Sequence, residues 1–471
     1  MSFRSLLLIA MMSSPVMAAP DVIVGELFGE TFSFDNVRRW GKINAADPIT
    51  AYSVGTISCN LGTDPVSWDI STNNHPVIGS QIYRLMDGRF EQIGLSWVKH
   101  GFLALDDDLC TPGGCMAPPD TDPNWGRYLF PGCSDPYSSA LNGNQPRLGP
   151  RSEINVVNGV FGAPFLTSGQ SGNTIYKRLQ IHDVDIDPDL NPGALYFIEG
   201  QYVTHDDTTA GTNHNNVSYR QVLVSESTPN TFNLTMTGPT NREQSAINAW
   251  KASDANVQIH TLTVAADGIF MLASNVVDLG GGQYEYEYAL YNQDSHRSAG
   301  SISIPLGANA TATDTGFHDV DYHGGDGIPF GTTYSGTDWT PTVGASDITW
   351  ATTPYATNAN ANAVRWGTVY NFRFQSNGPP ETGVVTVGLF RPGSPTSFTI
   401  PGYAPGDYTP PLVLGDMDAN GVVDMPDIPL FVSLLLDPSS ATMDAKTRGD
   451  MDLNLINDAV DVQMFVDALA P

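Results

Sequence analysis

Short runs of alternating hydrophobic and polar residues dominate the chain between residues 20 and 410. Segments such as ALYFIEGQYVT, SYRQVLVSE and VQIHTLTV are rich in β-branched and aromatic residues, and clusters of Gly, Asn, Pro or Ser separate them. A two-residue period places alternate side chains on opposite faces of a strand, so this pattern predicts β-sheets of the sandwich type. Two hairpins are predicted, with turns at residues 278–282 and 376–380. In YEYEYALY, the tyrosines should share one strand face and the glutamates the other.

The pattern changes near the C-terminus, where hydrophobic residues recur at helical spacing. The two stripes are Ile428, Phe431, Val432 and Leu435, and then Val462, Phe465, Val466 and Leu469. A spacing of i, i+3, i+4 and i+7 predicts two amphipathic helices whose apolar faces can pack together. The predicted fold class is therefore mainly β: two β-sandwich-like domains followed by a small α-helical module.

Changes in pattern and composition also give the domain boundaries. Residues 1–19 contain a basic residue, an apolar stretch and small residues before a cleavage site near Ala18 or Ala19, as in a secretory signal peptide. The remaining predicted parts are a disulfide-containing β domain (20–240), a β-sandwich domain (241–400), a Pro-rich linker (401–414) and the helical module (415–471). No later stretch is long and apolar enough for a transmembrane segment, so we expect a secreted or cell-surface protein.

Net charge and cysteine content give further predictions about partners and disulfides. The formal net charge of −29 argues against nucleic acid as a partner. An even number of cysteines in an exported chain predicts two disulfides, and three pairings of Cys59, Cys110, Cys115 and Cys133 are open. The short loop between Cys110 and Cys115 suits a local pair, which would leave Cys59 to pair with Cys133.

Acidic residues are concentrated in two loops that each lead into a predicted helix. In the first loop, oxygen-bearing groups occupy positions 1, 3, 5, 7, 9 and 12, which are Asp416, Asp418, Asn420, the Val422 carbonyl, Asp424 and Asp427. The second loop repeats the spacing with Asp450, Asp452, Asn454, the Ile456 carbonyl, Asp458 and Asp461. This is the ligand spacing of a calcium loop, so we predict two Ca²⁺ ions. The second site should be weaker, because Leu455 occupies the turn position that is Gly421 in the first loop.

The duplicated loop–helix pattern of residues 415–469 resembles a type I dockerin. The resemblance implies an attachment module that docks onto a cohesin-like domain, either on a polysaccharide-degrading assembly or on a cell-surface scaffold. Loop positions 10 and 11 often carry partner recognition in that family, and here they are Met425-Pro426 and Ala459-Val460. Position 12 is Asp in both loops, where the EF-hand pattern has Glu.

A second motif is the tetrapeptide His-Asp-Val-Asp, which occurs once in each predicted β domain. The candidate residues are His182, Asp183, Asp185, His318, Asp319, Asp321 and His323. On a strand, alternate members of each set would share a face, and His and Asp ligands on one face suit a metal ion. The alternative is that these carboxylates only accept hydrogen bonds at strand ends and turns.

Sequence motifs for catalysis are scarce. GxSxG, HExxH and P-loop patterns do not occur, and we identify no catalytic residue. Three hypotheses remain for the β domains: a non-catalytic carbohydrate- or surface-binding protein, a glycoside hydrolase of polysaccharide breakdown, or a structural cell-envelope protein. We prefer the first, because sandwiches are frequent binding scaffolds. The second rests only on the association of dockerins with polysaccharide-degrading enzymes.

Overall fold

The computed structural model describes residues 19–31, 34–110, 114–408 and 412–469. The predicted signal peptide, apart from Ala19, lies outside the described residues. The chain forms two compact units: a larger one that runs to Leu306 and continues over Thr311–Gly406, and a smaller one made of Gly307–Ala310 and the chain from Asp407 onwards. Strands account for 39% and helices for 13% of the structure, so the predicted mainly β class is confirmed. None of the helices described is both long and apolar enough to span a bilayer.

The first part of the larger unit contains a three-stranded sheet and a large sheet. Its strands are β1 Val22–Phe28, β2 Arg38–Gly41, β3 Ile49–Ser53, β4 Gly55–Asn60, β5 Val66–Ser67, β6 Val77–Met86, β7 Arg89–Leu95, β8 Val98–His100, β9 Tyr128–Leu129, β10 Ser134–Tyr137, β11 Leu148–Gly149, β12 Leu179–His182, β13 Leu195–Val203, β14 Val217–Thr228 and β15 Thr231–Asn241. The small sheet has the order β1-β4-β10, and the large sheet has the order β15-β14-β13-β6-β7-β12-β3-β2. Strand β8 joins the large sheet through β6 and carries β11, while β5 and β9 pair separately.

Two five-stranded sheets form the second part of the larger unit. Their strands are β16 Gln258–Thr263, β17 Ile269–Gly280, β18 Gln283–Asn292, β19 Ala299–Pro305, β20 Thr313–His318, β21 Thr340–Val343, β22 Asp347–Ala351, β23 Thr368–Ser376, β24 Pro380–Leu389 and β25 Ser397–Pro405. The sheet orders are β16-β17-β18-β23-β20 and β21-β22-β19-β24-β25. The short helices of this unit are α1 Ser139–Asn142, α2 Asp183–Ile186, α3 His205–Ala210 and α4 Asn248–Ser253, with 3-10 turns at Gln145–Arg147, Arg151–Glu153 and Asn213–Asn215.

The large sheet is covered on both faces. On one face, Ile198 of β13 packs in the same hydrophobic cluster as Val24 of β1. On the other face, its neighbour Phe197 packs with Trp250 of α4 and Tyr291 of β18. The second cluster crosses the predicted boundary near residue 240, so residues 20–240 and 241–400 pack as one unit where two domains are predicted.

Strand β18 shows the same division between two faces. Tyr286 and Tyr288 are fully buried, and the Tyr288 hydroxyl donates to the Tyr403 carbonyl of β25 at 2.9 Å. The alternate residues Glu285 and Glu287 accept hydrogen bonds from Arg89 of β7, at 3.1 Å and 2.5 Å. The predicted alternation of tyrosines and glutamates is therefore correct. The glutamate face meets the large sheet.

One predicted hairpin is confirmed, one is wrong, and the linker begins later than predicted. Strands β17 and β18 pair across the first turn. Strands β23 and β24 do not pair: β23 lies between β18 and β20, whereas β24 lies between β19 and β25 in the facing sheet. The turn between them contains Pro379 and Pro380, which have no N–H for a ladder bond, and the chain crosses between sheets there. Residues 401–405, predicted as linker, form the end of β25 and pair with β24.

Two disulfides are present, but their pairing differs from the one favoured by sequence proximity. Cys59 is bonded to Cys110, and Cys115 to Cys133. The reason is that the cysteines pack in different hydrophobic clusters. Cys59 and Cys110 belong to one small hydrophobic cluster, whereas Cys133 belongs to the main cluster next to the large sheet.

The smaller unit contains α5 Asp427–Leu436, α6 Met443–Gly449 and α7 Ala459–Leu469. Phe431 and Phe465 are buried and stack with ring centroids 4.0 Å apart, as the predicted packing of the two helices requires. Val432 and Val466 of the predicted stripes are instead 45% and 51% exposed, and Leu434 is buried. For α5, the difference arises because α6, which was not predicted, also packs against this helix on the side of Leu434.

Candidate functional site

The first acidic loop folds around the buried carboxylates of Asp416 and Asp427. Asp427, the first residue of α5, accepts hydrogen bonds from the backbone N–H groups of Asp418 at 2.9 Å and Asp424 at 2.8 Å. Asp416 accepts one from the N–H of Gly421 at 2.9 Å. Carboxylate oxygens of Asp416, Asp418 and Asp427 all lie within 4.8 Å of one another. Three carboxylates therefore converge at one point, and Nη1 of Arg448 lies 3.4 Å from one of them, Asp416.

The second loop repeats this arrangement. Asp461 accepts hydrogen bonds from the N–H groups of Asp452 at 3.3 Å and Asp458 at 2.8 Å, and Asp450 accepts one from Leu455 at 2.8 Å. Oxygens of Asp450, Asp452 and Asp461 also lie within 4.8 Å of one another. The two loops thus share their hydrogen-bond pattern as well as their ligand spacing.

The donor set of these loops fits a hard divalent cation. Carboxylate, amide and backbone carbonyl oxygens are the ligands that calcium takes. In the first loop, Oδ1 of Asp424 is buried and has no hydrogen-bond partner among the described residues, so it is available to an ion. A buried carboxylate oxygen without a partner is costly unless a cation or a donor completes its environment.

The loops differ at the turn. Gly421 has φ +92°, and its counterpart Leu455 has φ +68°. A side chain in this left-handed region is strained, whereas glycine adopts it freely. The Leu455 side chain is 92% exposed, so no packing offsets this strain. This is the structural basis for expecting the second site to be weaker.

Both His-Asp-Val-Asp segments line one cleft of about 510 Å³ in the larger unit. His182 ends β12, and its Nε2 lies 2.9 Å from Oδ2 of Asp321. His318 ends β20, and its Nε2 lies 3.1 Å from the carbonyl oxygen of Gln92. Asp185 and Asp319 also line the cleft, so the fold brings together five of the seven predicted residues.

The remaining contacts differ from those expected of strand residues. Asp183 and Asp185 lie in the helical turn α2 and not on a strand, so they do not share a strand face. Asp183 accepts a hydrogen bond from Thr50 at 2.6 Å, and Asp185 pairs with Arg84 at 3.2 Å. His323 is buried and contacts the Leu95 carbonyl at 2.7 Å.

Two carboxyl groups in the cleft, Asp319 and Asp321, have pKa values shifted in opposite directions. The hydrogen bond between His182 and Asp321 raises the pKa of the imidazole and lowers that of the carboxyl. Burial raises the pKa of Asp319 to about 6, although Asn362 donates a hydrogen bond to it. Outside the cleft, burial lowers the pKa of the His323 imidazole to about 4.

Ligand atoms for a metal converge elsewhere. In the part of the chain that the structure describes, groups of three or more His, Cys, Asp or Glu ligand atoms within 4.8 Å occur at the two C-terminal loops, and the His-Asp-Val-Asp residues form no such group. The cleft also contains Gln92, Gln180 and Tyr322, which the sequence analysis did not identify. They lie on strands or segments far apart in sequence, so only the sheet order places them together.

Comparisons with known proteins give no family. No family model matches the chain, and no curated protein matches it. Among solved structures, a serine-rich repeat adhesion glycoprotein (Srr1) from Streptococcus agalactiae aligns with 11% identity over 81% of this chain and 99% of that chain, with a TM-score of 0.19. A TM-score this low does not establish a common fold.

Proposed function

We propose that the smaller unit is a calcium-dependent attachment module and that the larger unit is the non-catalytic, surface- or carbohydrate-binding cargo that it anchors. The observation that carries this proposal is the duplicated group of three carboxylates, each within 4.8 Å, in loops with matching hydrogen bonds. An acidic surface segment has no reason to form such a group twice, because like charges at this distance repel one another.

Each loop would hold one ion through the six groups already named for it, and bound calcium would supply the positive charge that offsets their repulsion. The residues of the chain also connect the loop to the helix. Asp427 starts α5 and ties the beginning of its loop to the end through hydrogen bonds to Asp418 and Asp424. Ion binding would therefore stabilise the helix pair that carries Phe431 and Phe465, because a folded loop binds calcium better than an unfolded one.

Calcium stoichiometry tests the proposal. Equilibrium dialysis of the full chain should give two ions per molecule, and Asp427→Asn or Asp461→Asn should each remove one. Asp467→Asn is the control, since Asp467 is an exposed acid of α7 outside both loops. Two unchanged sites in both loop variants, or no calcium at millimolar concentration, would contradict the proposal.

Exposed apolar side chains beside the loops support an attachment role. Met425 and Val460, at loop positions 10 and 11, are 73% and 56% exposed. Each is an exposed apolar side chain at a position that the dockerin resemblance links to partner recognition. We expect calcium-dependent capture by a cohesin-like domain, with Met425→Asp and Val460→Asp weakening capture while both calcium ions remain bound. Capture that persists in chelator would contradict this part.

The glycoside hydrolase alternative is favoured by one observation in the cleft. Asp319 and Asp321 have pKa values shifted in opposite directions, as in carboxyl pairs where one group donates a proton and the other stays ionised. A polysaccharide pull-down combined with a reducing-sugar assay separates the two hypotheses. Binding without sugar release supports the non-catalytic role, whereas release that Asp319→Asn and Asp321→Asn abolish supports the hydrolase. If the assays detect neither binding nor sugar release, the structural envelope role is favoured.

A further inference from the structure

A small cavity in the larger unit brings three arginines together. Arg151, Arg365 and Arg391 line it with Asp326, and the centre of a water molecule can move within about 20 Å³ of it. The arginines come from distant parts of the chain, so no local motif marks the cavity. It lies outside the calcium loops and has no part in the proposed attachment role.

Some nitrogens of each guanidinium group have no hydrogen-bond acceptor in the described part of the chain. Arg151 and Arg365 are only 7% and 6% exposed. Within the described residues, Nη1 of Arg151, two nitrogens of Arg365 (Nε and Nη1) and Nε of Arg391 are buried without a hydrogen-bond partner. No carboxylate of the described chain lies within 4.0 Å of any of these three groups. Arginine does not release its proton in proteins, so these are buried positive charges that lack an anion.

The surrounding fold holds the guanidinium groups in place. The Cζ atom of Arg365 lies 3.6 Å from the centroid of the Tyr334 ring, and that of Arg151 lies 4.8 Å from the Trp366 ring. Stacking of this kind occupies the flat face of a guanidinium and leaves its N–H edge free.

Two glycines also make room for Arg151. A Cβ atom at position 79 would lie 2.3 Å from its Nη2, and one at Gly367 would lie 2.4 Å from its Nη1. Its Nε donates to the Ser96 carbonyl at 2.8 Å. The two glycines therefore leave space for the Arg151 guanidinium, and its Nη1 has no hydrogen-bond acceptor among the described residues.

The charges in the cavity do not balance. Asp326 is the one carboxylate among the described residues that line it, and burial raises the pKa of Asp326 to about 7, against the opposing effect of Arg151 and Arg365. Burial lowers the pKa of His296, which also lines the cavity, to about 4, so this imidazole is neutral at pH 7. Even with Asp326 ionised, three positive charges face one negative charge.

Arg220, a buried arginine of the same unit with a structural role, provides a comparison for the hydrogen-bond partners of the cavity arginines. It is also buried, at 9% exposure. It donates to the Leu27 carbonyl at 2.7 Å and the Gly238 carbonyl at 2.8 Å, and it pairs with Asp35 at 3.0 Å. Arg151 and Arg365 also donate to backbone carbonyls, at Ser96 and Ser80 and at Ala361 and Ala359. Unlike Arg220, they have no carboxylate partner among the described residues.

We propose that this cavity binds the carboxylate group of a small organic acid through Arg151, Arg365 and Arg391. A water centre needs roughly 10–15 Å³, so the space suits the two oxygens of a carboxylate better than the four of a sulfate or phosphate. Arginine edges pair with carboxylates in a bidentate manner, and the apolar side chains of Leu95 and Ile154 line the cavity for the carbon end of the acid.

Titration calorimetry of the full chain with sodium acetate, at ionic strength held constant with sodium chloride, tests this proposal. We expect one saturable site per chain. Arg391→Gln, at a half-buried position, should weaken acetate binding about tenfold or more through loss of a charged hydrogen-bond donor. Asp326→Asn should tighten binding, because it removes the opposing negative charge. Arg220→Gln is the control and should leave acetate affinity unchanged in the folded protein.

The Asp326→Asn variant guards against a misfolded Arg391→Gln protein, since a gain of affinity cannot arise from unfolding. Absence of a saturable acetate site in the wild-type chain overturns the proposal, and so does an affinity that neither cavity variant changes. Displacement of acetate by sulfate at equal concentration also overturns the assignment to a carboxylate. Sodium glucuronate serves as a second titrant: binding extends the site to sugar acids, and its absence restricts the site to small free acids.

Discussion

At the scale of single residues, Leu455 distinguishes the two acidic loops. It has the backbone conformation of Gly421 but carries an exposed side chain that gains nothing from packing. Strain at such a position costs on the order of 1 kcal/mol.

Leu455→Gly should therefore stabilise the smaller unit by about 1 kcal/mol and bring the calcium affinity of the second loop closer to that of the first. Calcium titration and denaturant unfolding of the full chain measure the two effects. Gly421→Leu is the matched opposite change and should weaken the first loop. Equal affinities of the wild-type loops, together with no gain in Leu455→Gly, would show that the turn residue does not set affinity.

Glu199 is a second residue with a measurable signature. It is fully buried, its Oε1 accepts a hydrogen bond from the Tyr291 hydroxyl at 2.9 Å, and burial raises its pKa to about 7. Above the unfolded pKa of about 4.3, the unfolded chain loses this proton while the folded chain keeps it. The contribution of Glu199 therefore falls as pH rises through this window to the folded pKa, and it falls no further above it.

Glu199→Gln should remove this loss, which is on the order of 3 kcal/mol between pH 4 and pH 8. Unfolding free energies of the larger unit, measured across that range, should fall less steeply in the variant. Glu226→Gln at an exposed position is the control and should follow the wild type. A wild-type slope retained in Glu199→Gln would mean that other buried acids dominate.

At the scale of elements, the helix pair of the smaller unit depends on one aromatic contact. Phe431 and Phe465 are nearly parallel and buried together. A Phe-to-Ala change in a core costs about 3–5 kcal/mol, and a unit of this size has little stability to spare.

Phe465→Ala should therefore unfold the smaller unit without calcium, and calcium should restore part of the structure through binding linkage. Val466→Ala, on the exposed face of the same helix, should cost less than about 0.5 kcal/mol. Hydrogen exchange of α7 in the full chain measures both. Similar protection in the two variants would argue against the aromatic contact as the centre of this core.

Local patterns predicted the acidic loops, one hairpin and the two faces of β18, whereas the order of the strands within the sheets could not be predicted from them. The acidic loops are encoded within twelve residues each, so spacing alone identified Asp416 to Asp427 and Asp450 to Asp461. The contact of His182 with Asp321 joins residues 139 positions apart, and the order of the sheets creates it. The disulfide pairing and the arginine cavity depend on three-dimensional packing in the same way. Helix α6 was missed because it has only seven residues and no apolar stripe.

At the scale of the whole molecule, the larger unit should not separate at residue 240. A fragment of residues 19–240 would expose Phe197 and the rest of the face that Trp250 and Tyr291 cover. We expect this fragment to aggregate, whereas residues 19–406 should unfold in one cooperative transition. Size-exclusion chromatography and calorimetry compare the two. A monomeric, cooperatively folded 19–240 fragment would show that the second hydrophobic cluster is dispensable.

The covered sheet also bears on how the protein is made. Strand β13 leaves the ribosome long before Val369, which completes the cluster over Phe197. During synthesis, and during passage through any export channel, the aromatic surface around Phe197 therefore stays exposed until the later part of the chain covers it. A holding chaperone during that interval would prevent the nascent chains from associating with one another.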